Sequence, residues 1–387
     1  MHVGPAIRTP AADANHGVIA VIEYYDLGPD KKLNEIVMAG SHDAGITGGG
    51  SNVQTQDRDI YEQAKAGVRI FDLRIALATT GGTHDGAKLA ELKAFHADKK
   101  LVSNRTTTRH VGSLGTTQQV ERSKLRGGAF GMNLSNMLTQ AKRFVDENPN
   151  EFLLLKFDKS TNWLLIAEAC VNYLDTALYT GGGNLNTKTL RDLRGKVVPL
   201  FVESGMQALR SANVNGPGIG ILGIKNMKDD KGGYDDRYEG IQYYGKGGTS
   251  PFSPFKKTKQ NVTKQSDLMK KGGQGNPAVM GMMYWTSTGL FESIKDRNDG
   301  MWTQPNVDKL KRMWSQGLEQ AIQDRAGKYA QINGFGGGQR LKAFLPNFVM
   351  IDFADPTKCG EIFELNTTPV TVMVDAFGLG QHRIRQA

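Results

Sequence analysis

EIVMAGSHDAG (35–45) and GVRIFDLRI (67–75) decide how this chain is read. Each is a short apolar run of strand character that carries polar residues at its end or within it. The first runs directly into Ser41-His42-Asp43-Ala44-Gly45. The second holds Asp72 and Arg74 inside its own apolar stretch. Strand alternation puts these two on one face, with Phe71, Leu73 and Ile75 on the other. Charged side chains rarely enter such a run unless they are paired or used.

Working outward, the same rhythm recurs. ELKAFHA (91–97) is a third, shorter strand. LSNMLTQAKRFVDENPN predicts an amphipathic helix, because Leu134, Met137, Leu138, Ala141, Phe144 and Val145 fall on one face. Asn148-Pro149 ends it. EFLLLKFD (151–158) follows as a nearly continuous apolar strand, as expected of one covered on both sides. WLLIAEACVNYL (163–174) is helical. KVVPLFVE (196–203), IQYY (241–244), VMGMMYW (279–285) and FVMIDF (348–353) are strands, with a polar helix at about 306–325 before the last. Alternating strands and helices mean parallel strands with crossovers. About eight strands in this order predict a closed α/β barrel of the irregular (β/α)8 TIM type with long loops. Residues 1–30 are expected to form an N-terminal extension. Residues 31–356 are expected to form the catalytic barrel, and 357–387 a strand-rich tail packed on it.

Composition narrows the function. The 387 residues carry a net charge of +9, which attracts polyanions such as nucleic acid or anionic phospholipid. No zinc-finger spacing, aromatic RNP strand or basic heptad helix is present, so nucleic acid is not an expected partner. Neither a dinucleotide fingerprint nor a P-loop occurs. The two cysteines, Cys170 and Cys359, exclude a disulfide scaffold. No run of about 18 apolar residues suggests a membrane span, and the first residues do not read as a signal peptide.

The strand ends carry the candidate chemistry, as parallel barrels place catalytic groups there. His42 and Asp43 end the first strand, Asp72 and Arg74 the second, and His96 the third. Lys156 and Asp158 share a face of the fourth, and Asp352 lies in the last. Two histidines, an arginine and several carboxylates form a phosphoester-cleaving set. One histidine takes a proton from a nucleophile and the other protonates the leaving oxygen. Arginine stabilises phosphoryl charge, and a carboxylate holds the base.

GSHDAG, GVRIFDLRI, the strand-end histidine, NPNEFLLLKF and FVMIDF together resemble the phosphatidylinositol-specific phospholipase C family, from about Glu35 to Asp355. The resemblance implies cleavage of phosphatidylinositol by attack of the inositol's own 2-hydroxyl, giving diacylglycerol and a cyclic inositol phosphate. It implies His42 as general base, Asp352 as its carboxylate, and Arg74 as the phosphate-stabilising arginine. Asp43 is the acid beside that arginine, and His96 is the general acid, with His84 and His110 as rivals. Lys156, Asp158 and the Asp-x-Tyr pattern Asp236-Arg237-Tyr238 are expected at the head group. Glu203 stands near the place where bacterial members carry an arginine. Calcium-dependent members carry an acid where Arg74 stands, which argues for no metal. A calcium site, were there one, would draw on Asp43, Asp72 and Asp158.

The partners expected are a lipid substrate and an anionic membrane surface, met peripherally by a secreted monomer. Tyr243, Tyr244, Lys246, Phe252, Phe255, Lys256, Lys257 and Lys259 are the first candidate membrane contact, and Leu290, Phe291, Met301 and Trp302 the second. Two other functions compete. One is a metal-dependent phosphodiesterase acting on glycerophosphodiesters or sphingolipids. The other is a non-catalytic, membrane-binding barrel.

Overall fold

The computed structural model describes residues 21–84, 87–97, 102–228, 232–247, 258–272, 278–287, 293–313, 339–342, 345–367, 371–374 and 383–384. Strand β1 (Met38–Ser41) leads through helix α1 (Ile60–Ala66) to β2 (Val68–Leu73). A sheet is then inserted, made of β3 (Ile75–His84), β4 (Ala87–His96), β5 (Val102–Val111), β6 (Thr116–Lys124) and β7 (Ala129–Asn133). Helix α2 (Leu134–Glu147), β8 (Phe152–Phe157) and helix α3 (Trp163–Leu174) follow. Then come β9 (Lys196–Phe201), β10 (Leu222–Asn226), β11 (Gly240–Lys246), β12 (Met280–Tyr284), β13 (Gln339–Lys342) and β14 (Phe348–Ile351).

Eight strands close into a barrel in the order β1-β14-β12-β11-β10-β9-β8-β2, and every neighbouring pair is parallel. This is the expected irregular (β/α)8 barrel. Its interior is filled by the alternate residues Met38, Ile70, Leu154, Leu200, Met282 and Met350. Gly40 leaves space for two of them, since a Cβ there would lie 2.3 Å from Met350 Sδ and 2.7 Å from Ile70. The opposite parity, including Ala39, Phe71, Leu155 and Ile351, packs outward under the helices.

Two strand assignments differ from the sequence reading. ELKAFHA is not a barrel strand; it ends β4 in the inserted sheet, whose order is β5-β6-β3-β4-β7. Its alternation of apolar and charged residues suits a half-covered antiparallel strand, whereas barrel strands are buried on both faces. The barrel position instead belongs to β10, LGIKN, a short run flanked by glycines. The run 68–75 also divides at Arg74, whose carbonyl accepts from Phe95 N at 2.9 Å.

The inserted sheet docks where backbones nearly touch. Met132 N donates to Gly45 O at 2.9 Å, and a Cβ on Gly131 would lie 2.1 Å from that oxygen. The β5–β6 ribbon lies along α3, with Gln118 accepting from Leu165 N and Ser113 N donating to Glu168. Covered on both sides, α3 is apolar nearly all round, as a buried helix should be.

The barrel floor holds a buried ion pair. Arg69 Nε lies 2.7 Å from Glu151 Oε2. Its other nitrogens donate to the carbonyls of Ala64, Val68 and Ile22. Tyr24, before the expected boundary at residue 30, is part of this floor and accepts from Ala39 N at 3.1 Å. In the tail, helix Pro356–Phe363 buries Cys359 and Ile362. Strands β15 (Thr371–Val374) and β16 (Arg383–Ile384) form a small sheet with β13.

Removing one partner of a buried pair leaves an uncompensated charge, at a cost of about 3–5 kcal/mol. Arg69→Ala is therefore expected to lower unfolding free energy by about that amount. Arg69→Met with Glu151→Leu should cost less, as denaturant melts will show.

Candidate active site

The carboxyl ends of β14, β1, β2 and β8 are neighbours in the barrel, and they bring the candidate residues together. His42 N donates to Ile351 O at 2.9 Å, joining β1 to β14. Gln56 holds both strand ends: its Nε2 donates to His42 O and Ile351 O, and its Oε1 accepts from Ala354 N. Thr55 adds a bond to Asp43 O. Beyond the strands the backbone turns left-handed at Asp43 (φ 44°) and at Phe353 (φ 50°). Aspartate tolerates that region, but a bulky phenylalanine is an outlier there and persists only where its surroundings fix it.

Asp43 is the hub. Its Oδ2 accepts from His96 Nδ1 at 2.6 Å and lies 3.6 Å from His42 Nε2. Its Oδ1 lies 3.0 Å from Arg74 Nε, an ion pair whose alignment falls short of a hydrogen bond. His42 Nδ1 lies 2.9 Å from Asp352 Oδ1. Ionised carboxylates only accept, so both histidine Nδ1 atoms carry hydrogen and each Nε2 is left for other partners. Asp352 is fully buried, and its second oxygen accepts from Asn298 Nδ2 at 2.9 Å.

Burial alone would depress the His42 pKa, but the Asp43 and Asp352 carboxylates outweigh it and raise it to about 9. Burial would raise Asp43, yet Arg74 and the two histidines hold it well below the usual carboxylate range. Arg74 gains further from Asp43, Asp72 and Asp158.

A second group lies beside the first. Lys156 Nζ donates to Asp72 Oδ1 at 2.8 Å and to Asp158 Oδ2 at 3.2 Å. Tyr284 OH donates to Asp72 Oδ2 at 2.9 Å. Lys156 would lose its proton more readily for being buried, but Asp72 and its neighbours hold it well above the usual lysine value. Burial and Asp72 keep Tyr284 a neutral phenol. The Tyr284 ring stands edge-on to His42, with centroids 5.5 Å apart, and so links the two groups.

Some expected residues are elsewhere. Tyr238 packs outside the barrel, where its hydroxyl faces the bare side of Gly223 and Lys225 stands over its ring. The backbone of Asp236 meets Asn184, beside the start of β11 at the opposite end of the barrel. Glu203 is exposed and pairs with Arg210. His110 is exposed on β5. His84 pairs with Ala87, at the other end of the β3–β4 pair from His96. Of the proposed membrane residues, Met301 is buried and Trp302 packs partly on the core. Tyr243 packs against the barrel interior and Tyr244 against the outer core. Phe252, Phe255, Lys256, Lys257, Leu290 and Phe291 lie outside the described residues. Tyr284 and Asn298 were not anticipated; the alternation Met280-x-Met282-x-Tyr284 carries a signal for the first alone.

The conditional calcium ligands are not assembled: Asp43 is held by Arg74 and His96, while Asp72 and Asp158 share Lys156. Among the described residues, no group of three or more His, Cys, Asp or Glu side chains suits a metal ion.

No family model matches the sequence, and no curated protein matches it significantly. The fold resembles bacterial phosphatidylinositol-specific phospholipase C structures. One, from Staphylococcus aureus, is 18% identical, covering 89% of this chain and 96% of that one at a TM-score of 0.44. Another, from Listeria monocytogenes, is 14% identical, covering 88% and 96% at 0.44. Likeness at this distance leaves the chemistry to be argued from the side chains.

His42 binds its proton more tightly in the fold (about 9) than in the unfolded chain (~6.5). Its contribution to stability is fully present below about pH 6.5 and is lost as pH rises through about 9. NMR titration of the imidazole should show Asp352→Asn lowering its pKa, since burial and Arg74 then meet less opposition.

Proposed function

We propose that the chain is a metal-independent phospholipase C-type lyase acting on phosphatidylinositol or a related phosphodiester lipid. One observation carries the reading: two histidines and an arginine converge on the buried Asp43 carboxylate, and one histidine is backed by a second buried carboxylate. Such a set moves two protons and holds one phosphoryl charge.

In the reaction, a head-group hydroxyl next to the phosphate gives its proton to His42 Nε2 and attacks phosphorus. Asp352 fixes the tautomer of His42 and stabilises its cation, as a carboxylate does for a histidine base. Arg74 meets the charge that builds on the non-bridging oxygens. His96, held by Asp43 through Nδ1, protonates the departing glycerol oxygen from Nε2. The products are diacylglycerol and a cyclic phosphate. Lys156, Asp72, Asp158 and Tyr284 line the adjoining space as head-group contacts.

The metal-dependent alternative is less favoured because Arg74 and Lys156 already neutralise the carboxylates it needs. The non-catalytic alternative leaves the paired histidines without a role. The +9 charge supports peripheral action at anionic bilayers, and no helix among the described residues is long and apolar enough to cross a membrane; a secreted monomer is part of the proposal.

His42→Ala and His96→Ala should each lose ~10²–10⁴-fold in turnover of phosphatidylinositol vesicles, with unchanged circular dichroism. The wild type should keep its activity in excess EDTA; a loss that calcium restores would contradict the metal-free reading. Because His42 must be neutral and His96 protonated to act, kcat/KM should follow a bell-shaped pH profile, and Asp352→Asn, which removes a carboxylate that raises His42, should move one limb to lower pH.

A further inference from the structure

The short helix Ile294–Asp299 is bonded to the ends of three barrel strands. Ile294 N donates to Ser51 O at 2.9 Å, in the segment that follows β1. Ser287 N, just after β12, donates to Asn298 Oδ1 at 3.0 Å, and Asn298 Nδ2 donates back to Ser287 O at 3.2 Å. The same Nδ2 donates to Ile294 O and, across to the end of β14, to Asp352 Oδ2, both at 2.9 Å. Asn298 is fully buried. Its orientation is fixed by chemistry: the Ser287 N–H needs an acceptor, so the carbonyl oxygen faces Ser287 and the amide hydrogens are left for Asp352.

A buried carboxylate keeps its charge only where donors meet its oxygens. His42 Nδ1 serves Asp352 Oδ1 at 2.9 Å, and Asn298 serves Oδ2. His42 is also faced by Asp43, Arg74 and the edge of the Tyr284 ring. In the competing state the proton sits on Asp352, which then has no charge with which to steady an imidazolium. An amide N–H aimed at Oδ2 opposes that state twice. It stabilises the anion, and it would meet a hydroxyl hydrogen on Oδ2 head-on.

Resting on the phospholipase reading above, we infer that Asn298 is a positioning residue for the base: its amide holds Asp352 ionised and aimed at His42. It acts through Asp352, and the helix that carries it ties the base to the ends of β1 and β12.

The test combines NMR titration of the His42 imidazole with kinetics on phosphatidylinositol vesicles, for the full chain. Asn298→Leu keeps the branching of the side chain and removes the donor. Losing a donor raises the proton affinity of a buried carboxylate, and His42 and Asp352 bind one proton as a pair. The midpoint should therefore move to higher pH than the wild type's value of about 9. At neutral pH kcat should fall about ten-fold or more with KM little changed. Asn298→Ala, which fits without crowding, should shift the midpoint the same way. Trp285→Phe removes another tie to this region, the Trp285 Nε1 bond to Met301 O at 3.1 Å. It should lower the melting temperature and leave the His42 midpoint in place. Mere loosening would instead free Asp352 from His42 and lower the midpoint, as Asp352→Asn does. An unchanged or lowered midpoint in both Asn298 variants, or an equal rise in Trp285→Phe, would overturn the inference and leave the phospholipase reading standing. A wild type inactive on every phospholipid would overturn the phospholipase reading, and this one with it.

Discussion

The site depends on keeping one carboxylate charged where water cannot reach it. The Asp43 side chain is fully buried, and an isolated ion there would take up a proton instead. Arg74, His96 and His42 prevent that by surrounding it with positive charge. The arrangement works in both directions. Arg74 and His96 are oriented by Asp43, and His42 is raised by it. Replacing Asp43 by an uncharged residue would leave Arg74 without the carboxylate 3.0 Å from its Nε.

Such a hub requires that four separate parts of the chain arrive with little slack. The barrel makes β1, β2 and β14 neighbours, so His42, Asp43, Arg74 and Asp352 follow from strand order and alternation. His96 comes from outside the barrel. It depends on the inserted sheet, which is tied down by the Phe95–Arg74 backbone bond and the close approach of Gly131 to Gly45. The left-handed turn at Asp43 then carries its carboxylate between the strand-end histidine and the inserted one. Gln56 and Thr55 hold the turn from beneath.

Much of this was legible in the sequence, for physical reasons. Barrel strands are buried on both faces, so runs such as FLLLKF and FVMI stand out. Charged residues inside such runs, Asp72, Arg74 and Lys156, can only point to a rim or into a pair. The inserted sheet was not legible, because β5 and β6 are rich in threonine, glutamine and arginine and lack an apolar period. Strand β10 was hidden because Gly218, Gly220 and Gly223 break up its apolar run and make it read as a loop. Asp236 and Tyr238 matched a pattern without the strand that would aim it. Asn298 supports Asp352 from a short helix, and nothing in its local sequence marks it.

The central claim is that Asp43 and His96 act together as the acid, while His42 with Asp352 acts as the base. Leaving-group dependence tests it most directly. The account predicts that His96→Ala loses far less activity on a p-nitrophenyl phosphodiester of the same head group, whose leaving oxygen needs no proton, than on the natural lipid. His42→Ala should lose as much on both. Equal losses on both substrates for His96→Ala would contradict the account.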